Sequence, residues 1–207
     1  ACIGRADGEQ VEVLCRAVPR ATREYTPAGM LEALAGDLRD CLAALPAWER
    51  AEGIGISCGG PLDSRAGIVL SPPNLPGWDA VPAAKILSER TGLPAWLCND
   101  ANAAGFAEVW DVQSPSDALY LSLSNTVGGA ILLGGQLYKG ENQRGGEFGH
   151  IPVERDGKRC YCGKKGCLDA YCSATVLSDL AGGSLPAFFR ELREGAPKAR
   201  IAWADYL

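Results

Sequence analysis

One histidine and three cysteines form the strongest chemical pattern in the chain: His150, then Cys160-Tyr161-Cys162-Gly163-Lys164-Lys165-Gly166-Cys167. Three thiols and one imidazole make a Cys3His donor set, which suits a closed, four-coordinate zinc site. A Cys-x-Cys-Gly turn points two sulfurs at one ion, and Gly163 and Gly166 let the backbone curl round to the third. Zn2+ with three thiolates carries a formal charge of about −1, and Lys158, Arg159, Lys164 and Lys165 stand where they offset it. Four protein ligands leave no place for a metal-bound water, so the expected metal is structural. It pins Glu147 to His150 against a helix start at 168–173, and the second imidazole nitrogen stays available to a ligand hydroxyl. The plainer reading is a loop of free cysteines. Because His150 is the only histidine in the chain, the metal reading is preferred. Cys172, after Ala170-Tyr171, reads as a helix residue and not a ligand.

A second candidate is Asp100, which directly follows a short apolar strand and opens a helix of small residues. In open α/β sheets ligands bind outside the carboxyl ends of strands, where an Asp can serve as general base on a substrate hydroxyl. The same residue type is also an ordinary helix N-cap, and local sequence alone favours the cap. A third candidate is the glycine-rich turn Ser124-Asn125-Thr126-Val127-Gly128-Gly129, set between two strands. Its backbone N–H groups have the chemistry to cradle a phosphate, although such a turn is more often only a hairpin.

The elements that must position these residues alternate between strand and helix. Thr26-Pro27 starts a helix, with a hydroxyl N-cap and proline at the first position. Met30, Leu31, Leu34, Leu38, Leu42 and Leu45 carry its apolar stripe to Pro46. Gly53 to Ser57 reads as a buried strand leading to Gly59-Gly60. Pro72 to Trp78 is a loop, since prolines restrict the residues before them. A helix over Val81 to Arg90 closes at Gly92, and Pro94 to Cys98 is the strand before Asp100. A helix follows from Ala101 to Trp110. Strands are expected over Asp117 to Leu123 and Ala130 to Leu133, with a Gly134-Gly135 hairpin into Gln136-Leu137-Tyr138. Helices resume over Ala170 to Leu180 and Leu185 to Glu194. The class is α/β.

Composition bounds the function. A net charge of −5 argues against a nucleic-acid footprint spread over the whole surface. No run of 18 apolar residues and no secretory leader is visible, so a membrane span or an exported protein is not expected. Nine cysteines, an odd number, fit a reduced cytoplasmic compartment better than a disulfide framework. Ala1 to Gly4 reads as the tail of a strand entering a turn at Asp7-Gly8, with an alternating strand over Gln10 to Leu14. The final helix, Ala196 to Leu207, has no stop signal and leaves Ile201, Trp203 and Tyr206 uncovered. Both ends read as cut, as in a piece of a longer protein.

The order of these pieces resembles the ROK family of repressors, open reading frames and sugar kinases. The resemblance is carried by Gly59-Gly60-Pro61-Leu62-Asp63, Asn74 to Trp78, Asn99-Asp100-Ala101-Asn102-Ala103-Ala104, Val127-Gly128-Gly129-Ala130, Gly146-Glu147-Phe148-Gly149-His150, and Cys160 to Asp169 with Ser173. It implies a two-lobed, actin-like ATPase fold of the ribonuclease-H type, incomplete at both ends. Residues 1–98 would form most of the first lobe, and 99–207 the start of the second, with the zinc loop at 146–173. The implied activity is ATP-dependent phosphorylation, with Mg2+, of a hexose or N-acetylhexosamine. The implied alternative is a sugar-sensing transcriptional regulator, which touches nucleic acid only through an upstream helix-turn-helix. By resemblance Asp100 is the catalytic base. Gly60, Asn74, Asn99, Asp100, Glu147, His150 and Asp169 are substrate-binding, and Thr126, Gly128 and Gly129 are phosphate-binding. His150, Cys160, Cys162 and Cys167 hold zinc, and a homodimer or homotetramer is implied. Three departures stand out. Asp169 is a methylene shorter than the family's usual Glu, and Ser124-Asn125-Thr126 replaces a Gly-Thr-Gly. The family's opening phosphate loop and its C-terminal adenosine segment do not occur in the sequence.

Overall fold

The computed structural model describes residues 1–6, 10–46, 50–110 and 117–206. The chain divides into two units, Ala1–Ser114 and Pro115–Leu207.

In the first unit, β1 (Cys2–Ala6) and β2 (Val11–Arg16) form an antiparallel hairpin. The Asp7-Gly8 turn lies outside the described residues. Helix α1 (Pro27–Ala43) starts as its sequence demands: Thr26 is the N-cap and its hydroxyl accepts the Gly29 N–H at 3.1 Å. The helix stops at Ala43, so Leu45 falls beyond the stripe assigned to it. Arg20 grips Asp37 of α1 through both carboxylate oxygens, at 2.8 and 2.6 Å, and reaches the Tyr25 hydroxyl at 3.1 Å. This fork holds the Asp37 carboxyl below its ordinary value, against the opposing effect of burial.

Strand β3 (Ile54–Cys58) leads through the short ladder β4 (Leu62–Asp63) and β5 (Ile68–Val69) to α2 (Ala83–Thr91), and then to β6 (Ala95–Asn99). Gly92 ends α2 in the left-handed conformation, as a C-terminal glycine does. Strand β6 pairs parallel with β3, Cys58 opposite Asn99. The core beneath this pair is built by Met30, Leu31 and Ala35 of α1, Ile54, Val69, Ala83, Leu87 and Leu97. Trp78 of the proline-rich loop joins them, at 7% exposure. Burying each large apolar side chain contributes on the order of 1.5–3 kcal/mol, which fixes the strand ends against the helices. Helix α3 (Asp100–Trp110) follows β6 without a linker and packs on β3 and β6, so Asn99 and Asp100 lie in the first unit.

In the second unit, β7 (Ala118–Leu123), β8 (Val127–Leu133) and β9 (Gln136–Leu137) make an antiparallel meander in that order. Strand β8 starts at Val127, three residues earlier than the sequence reading, so Gly128 and Gly129 are ladder residues and only 124–126 form the turn. The single helix expected over 170–180 is two: α4 (Asp169–Cys172) and α5 (Ala174–Leu180), broken at Ser173, whose backbone is extended. Helices α6 (Leu185–Arg193) and α7 (Pro197–Tyr206) complete the unit. Trp203 is not left uncovered: it packs on Phe188 and Phe189, around a core of Leu177, Phe188 and Ala199. Ile201 is exposed as expected, while the Tyr206 side chain and Leu207 lie outside what the structure describes. Among the described residues no helix is long and apolar enough to cross a membrane.

Candidate functional site

The parallel pairing of β3 and β6 brings two short motifs to one end of the first unit. Gly59-Gly60 follows β3, and Asn99-Asp100 closes β6 and opens α3. The Asp100 Oδ2 lies 3.7 Å from where a Cβ on Gly59 would stand, and the Asn99 Nδ2 is equally near the Cβ position of Gly60. Glycine at both positions therefore leaves open space beside a carboxylate and an amide. The capping question divides between the two residues. Asn99 Oδ1 accepts the Asn102 N–H at 3.1 Å, which is the cap proper, while Asp100 Oδ1 accepts the Ala101 N–H at 2.8 Å. Asp100 is exposed, and its second oxygen faces Gly59. Cys58 stands beside it, its thiol pushed up to about 11 by burial and by the Asp100 charge. Asn74 is exposed on the loop that Trp78 anchors in the core.

In the second unit the Gly146 to His150 segment lies directly on β8. A Cβ on Gly129 would sit 2.2 Å from Phe148 Cδ2 and 2.9 Å from the Tyr120 carbonyl oxygen. Gly129 is thus a buried seat for Phe148, which fixes its neighbours Glu147 and His150. The turn before β8 is held from the other side: Ala174 N–H donates to the Ser124 carbonyl and the Thr175 hydroxyl to the Asn125 carbonyl, both at 2.8 Å. Asp169, 5% exposed, accepts the Val127 N–H. One donor of the expected phosphate turn is therefore committed to the protein itself. Of the three phosphate candidates, Thr126 lies on the turn, while Gly128 and Gly129 lie in the ladder opposite Ser122 and Leu121.

The four candidate metal ligands converge: the donor atoms of His150, Cys160, Cys162 and Cys167 all lie within 4.8 Å of one another. A tetrahedral ion with bonds of about 2.3 Å to sulfur sets neighbouring sulfurs about 3.8 Å apart. Cys162 and Cys167 Sγ are 3.7 Å apart, and Cys160 Sγ lies 3.7 Å from His150 Nδ1. The donor set therefore fits a zinc ion, with Nδ1 turned toward the sulfurs. Backbone turns close the loop, Cys160 N–H donating to the Lys164 carbonyl and Gly166 N–H to that of Lys158. Only glycine fits at 166, where φ is +73° and a Cβ would stand 1.7 Å from the Glu154 carbonyl oxygen. Burial pushes Cys160 up to about 12 and raises Cys167. For Cys162 burial opposes, but the Lys164 N–H, the adjacent thiols and the Lys164 charge lower it. Of the four cations expected to offset the site, Lys164 lies with its Nζ 3.4 Å from the His150 carbonyl. Lys158 lies over the Tyr171 ring instead.

Sequence reasoning missed Tyr161. Its hydroxyl lies 3.3 Å from His150 Nε2 and its ring meets the imidazole edge-on, so the second nitrogen is already faced by a phenol. Burial raises its phenol, and so do the charges of Asp169, Cys160 and Glu147. The available signal was an aromatic residue between two ligand positions, which spacing alone does not interpret.

The sequence model of the ROK family matches residues 1–203. The chain is 38% identical over 152 residues to a glucokinase of Thermotoga maritima, covering 72% of this chain and 44% of that protein. It is 33% identical over 171 residues to an N-acetylmannosamine kinase of Escherichia fergusonii, covering 79% and 59%. It is also 34% identical over 157 residues to a putative xylose repressor of a Caldicellulosiruptor species, covering 73% and 38%. The chain thus spans about half the length of these curated relatives. Among solved structures it is similar to the ROK hexokinase of Thermus thermophilus, with a TM-score of 0.77, 34% identity and coverage of 99% of this chain and 69% of that one. A ROK glucokinase of Streptomyces griseus, solved with glucose and AMPPNP, gives a TM-score of 0.72 at 27% identity, with 97% and 70% covered. The fold is part of the actin-like ATPase fold of these sugar kinases, and the chain belongs to the ROK family.

Proposed function

We propose that the full-length protein phosphorylates a hexose or an N-acetylhexosamine with ATP and Mg2+. The observation that carries this reading is the Asp100 carboxylate at the end of β6, beside Gly59 and Asn99, with one oxygen held by Ala101 N–H. Asp100 would take the proton from the attacking sugar hydroxyl. As it does so, the new oxygen–phosphorus bond forms, the bond to the γ-phosphorus breaks on the nucleotide side, and ADP leaves. A positioned base of this kind contributes about 10²–10⁴-fold. By the family resemblance Gly60, Asn74, Asn99, Glu147, His150 and Asp169 are assigned to sugar hydroxyls. Asp169 has one oxygen committed to Val127, and His150 Nε2 already faces the Tyr161 hydroxyl. Thr126 is the phosphate-facing member of its set; Gly129 gives the strand its close approach to Phe148.

His150, Cys160, Cys162 and Cys167 would hold zinc, which when bound supplies a fixed four-way cross-link and no catalytic water. Around it, this chain's own residues set the imidazole: Nδ1 faces Cys160 and Nε2 faces Tyr161. A homodimer or homotetramer and a cytoplasmic location belong to the same reading. The first is tested by light scattering of the full-length protein and the second by cell fractionation.

One observation favours a second reading, a sugar-sensing regulator. The turn of Ser124, Asn125 and Thr126 has no glycine, and the N–H that follows it is taken by Asp169. The test is ADP release by the full-length protein with Mg-ATP and a panel of hexoses and N-acetylhexosamines, beside sugar binding by calorimetry. Sugar-dependent ADP release supports the kinase. Sugar binding without ADP release supports the sensor, and glycines restored at 124 and 126 then test whether the turn is the cause.

A further inference from the structure

Outside the metal loop, one pair of sulfurs is brought together from separate elements. Cys15 of β2 and Cys41 of α1 are 26 positions apart in sequence, yet their Sγ atoms lie 2.6 Å apart. Two of the three thiols of the metal set, Cys162 and Cys167, are 3.7 Å apart by comparison. A disulfide bond is about 2.05 Å long, so the two sulfurs need only a slight further approach to bond. Both carriers are held by their own packing. Strand β2 is laddered to β1, with Ile3 opposite Cys15, and α1 packs on that hairpin. Cys41 is 4% exposed, while Cys15 is half-buried and so within reach of a small oxidant. The proximity marks Cys41 as well: its thiol is pushed up to about 11 by the hydrogen bond with Cys15 and by burial.

We propose that Cys15 and Cys41 form a covalent cross-link between the first hairpin and α1 when the protein meets a disulfide oxidant. The chemistry is thiol–disulfide exchange. The more accessible Cys15, as thiolate, attacks one sulfur of a small disulfide such as glutathione disulfide. A mixed disulfide forms and one glutathione thiolate leaves. Cys41 then gives its proton to solvent and attacks Cys15 Sγ, expelling the second glutathione. Two protein thiols lose two electrons in total, and the external disulfide becomes two thiols. A reducing thiol pool reverses the step, so the link forms or opens with the redox poise around the protein.

The test uses the full-length protein incubated with glutathione disulfide, its remaining thiols alkylated with iodoacetamide, and trypsin digestion without reduction. The three thiols near the hairpin fall in different peptides: Cys15 in 6–16, Cys41 in 40–50 and Cys2 in the peptide ending at Arg5. The expected result is a 6–16/40–50 cross-linked peptide that disappears on reduction. With it, the thermal unfolding midpoint rises on oxidation and falls back with dithiothreitol. In Cys41→Ala the glutathione is expected to stay on Cys15, with no such rise. Recovery of 6–16 and 40–50 as separate alkylated peptides, while Cys2 carries glutathione, overturns the proposal. So does a link between Cys15 and Cys2, or a stable glutathione adduct on Cys15 in the unaltered protein. The peptide map needs no variant, so a misfolded Cys41→Ala leaves the outcome decided.

Discussion

Gly129 separates two accounts of the same motif, and Gly129→Ala tests them. Read from the sequence, Gly129 belongs to a phosphate turn, and a side chain there would obstruct the nucleotide. In the structure it is the seat of Phe148, and the added methyl carbon would stand 2.2 Å from Cδ2 and 2.8 Å from Cε2 of that ring. Ordinary contact begins near 3.4 Å, so the ring must retreat by more than an ångström, and the Tyr120 carbonyl at 2.9 Å blocks the methyl from moving the other way. Overpacking of this kind costs about 1–3 kcal/mol. At roughly 2–4 °C per kcal/mol for a chain of this size, the unfolding midpoint should fall by about 2–12 °C. Because Phe148 lies between Glu147 and His150, its displacement should raise the sugar KM and leave the ATP KM nearly unchanged. Phe148→Ala in the same protein makes room for the methyl and should recover part of the lost midpoint, a coupling that a double-mutant cycle measures. The refuting result is a raised ATP KM with midpoint and sugar KM unaltered, which would return Gly129 to the phosphate.

Three further outcomes follow from single contacts. Asp169→Ala strands the buried Val127 N–H and should cost about 1–3 kcal/mol, read as a lower thermal midpoint, whereas Asp169→Asn keeps an acceptor oxygen and should cost less; an unchanged midpoint in the alanine variant contradicts this. The full-length protein should carry one zinc per chain by elemental analysis, and strong chelation should lower the midpoint and open Cys160, Cys162 and Cys167 to alkylation; a metal-free protein whose three thiols react freely in the native state contradicts it. Asp37, its carboxyl held down by Arg20, stabilises the fold fully above its unfolded value of about 3.9, and that contribution disappears as pH falls through the lower folded value. The midpoint difference between the unaltered protein and Asp37→Asn should therefore be steady at neutral pH and shrink below about pH 4; a difference that stays constant to strong acid contradicts it.

The sequence made the periodic elements and the donor sets readable, because these depend on local spacing. Thr26-Pro27 specified the start of α1, and the Cys3His spacing specified four donors that converge in space. What escaped was decided by contacts between distant residues. Glycines that read as a turn at 128 and 129 are strand residues paired with β7, and Gly129 leaves the space that Phe148, about twenty positions away, fills. The helix expected through Ser173 breaks there, where the following N–H bonds back to the Ser124 carbonyl. Tyr161 looked like a spacer between two ligands, and only the fold turns its hydroxyl to His150. Asp100 read locally as a helix cap and only by resemblance as a base, and the bond to the Asn102 N–H is made by Asn99 instead, a contact decided by how β6 runs into α3.

That leaves Asp100 as the residue on which the account rests. The most direct measurement is the kcat of Asp100→Asn in the full-length protein with Mg-ATP and its preferred hexose, beside calorimetric sugar binding. The amide keeps the size of the side chain and an oxygen for the Ala101 N–H, but it cannot take the hydroxyl proton. The account predicts kcat lower by about 10²–10⁴-fold with sugar affinity little changed. Near-normal turnover in the variant would contradict it and leave Asp100 as only part of the helix start.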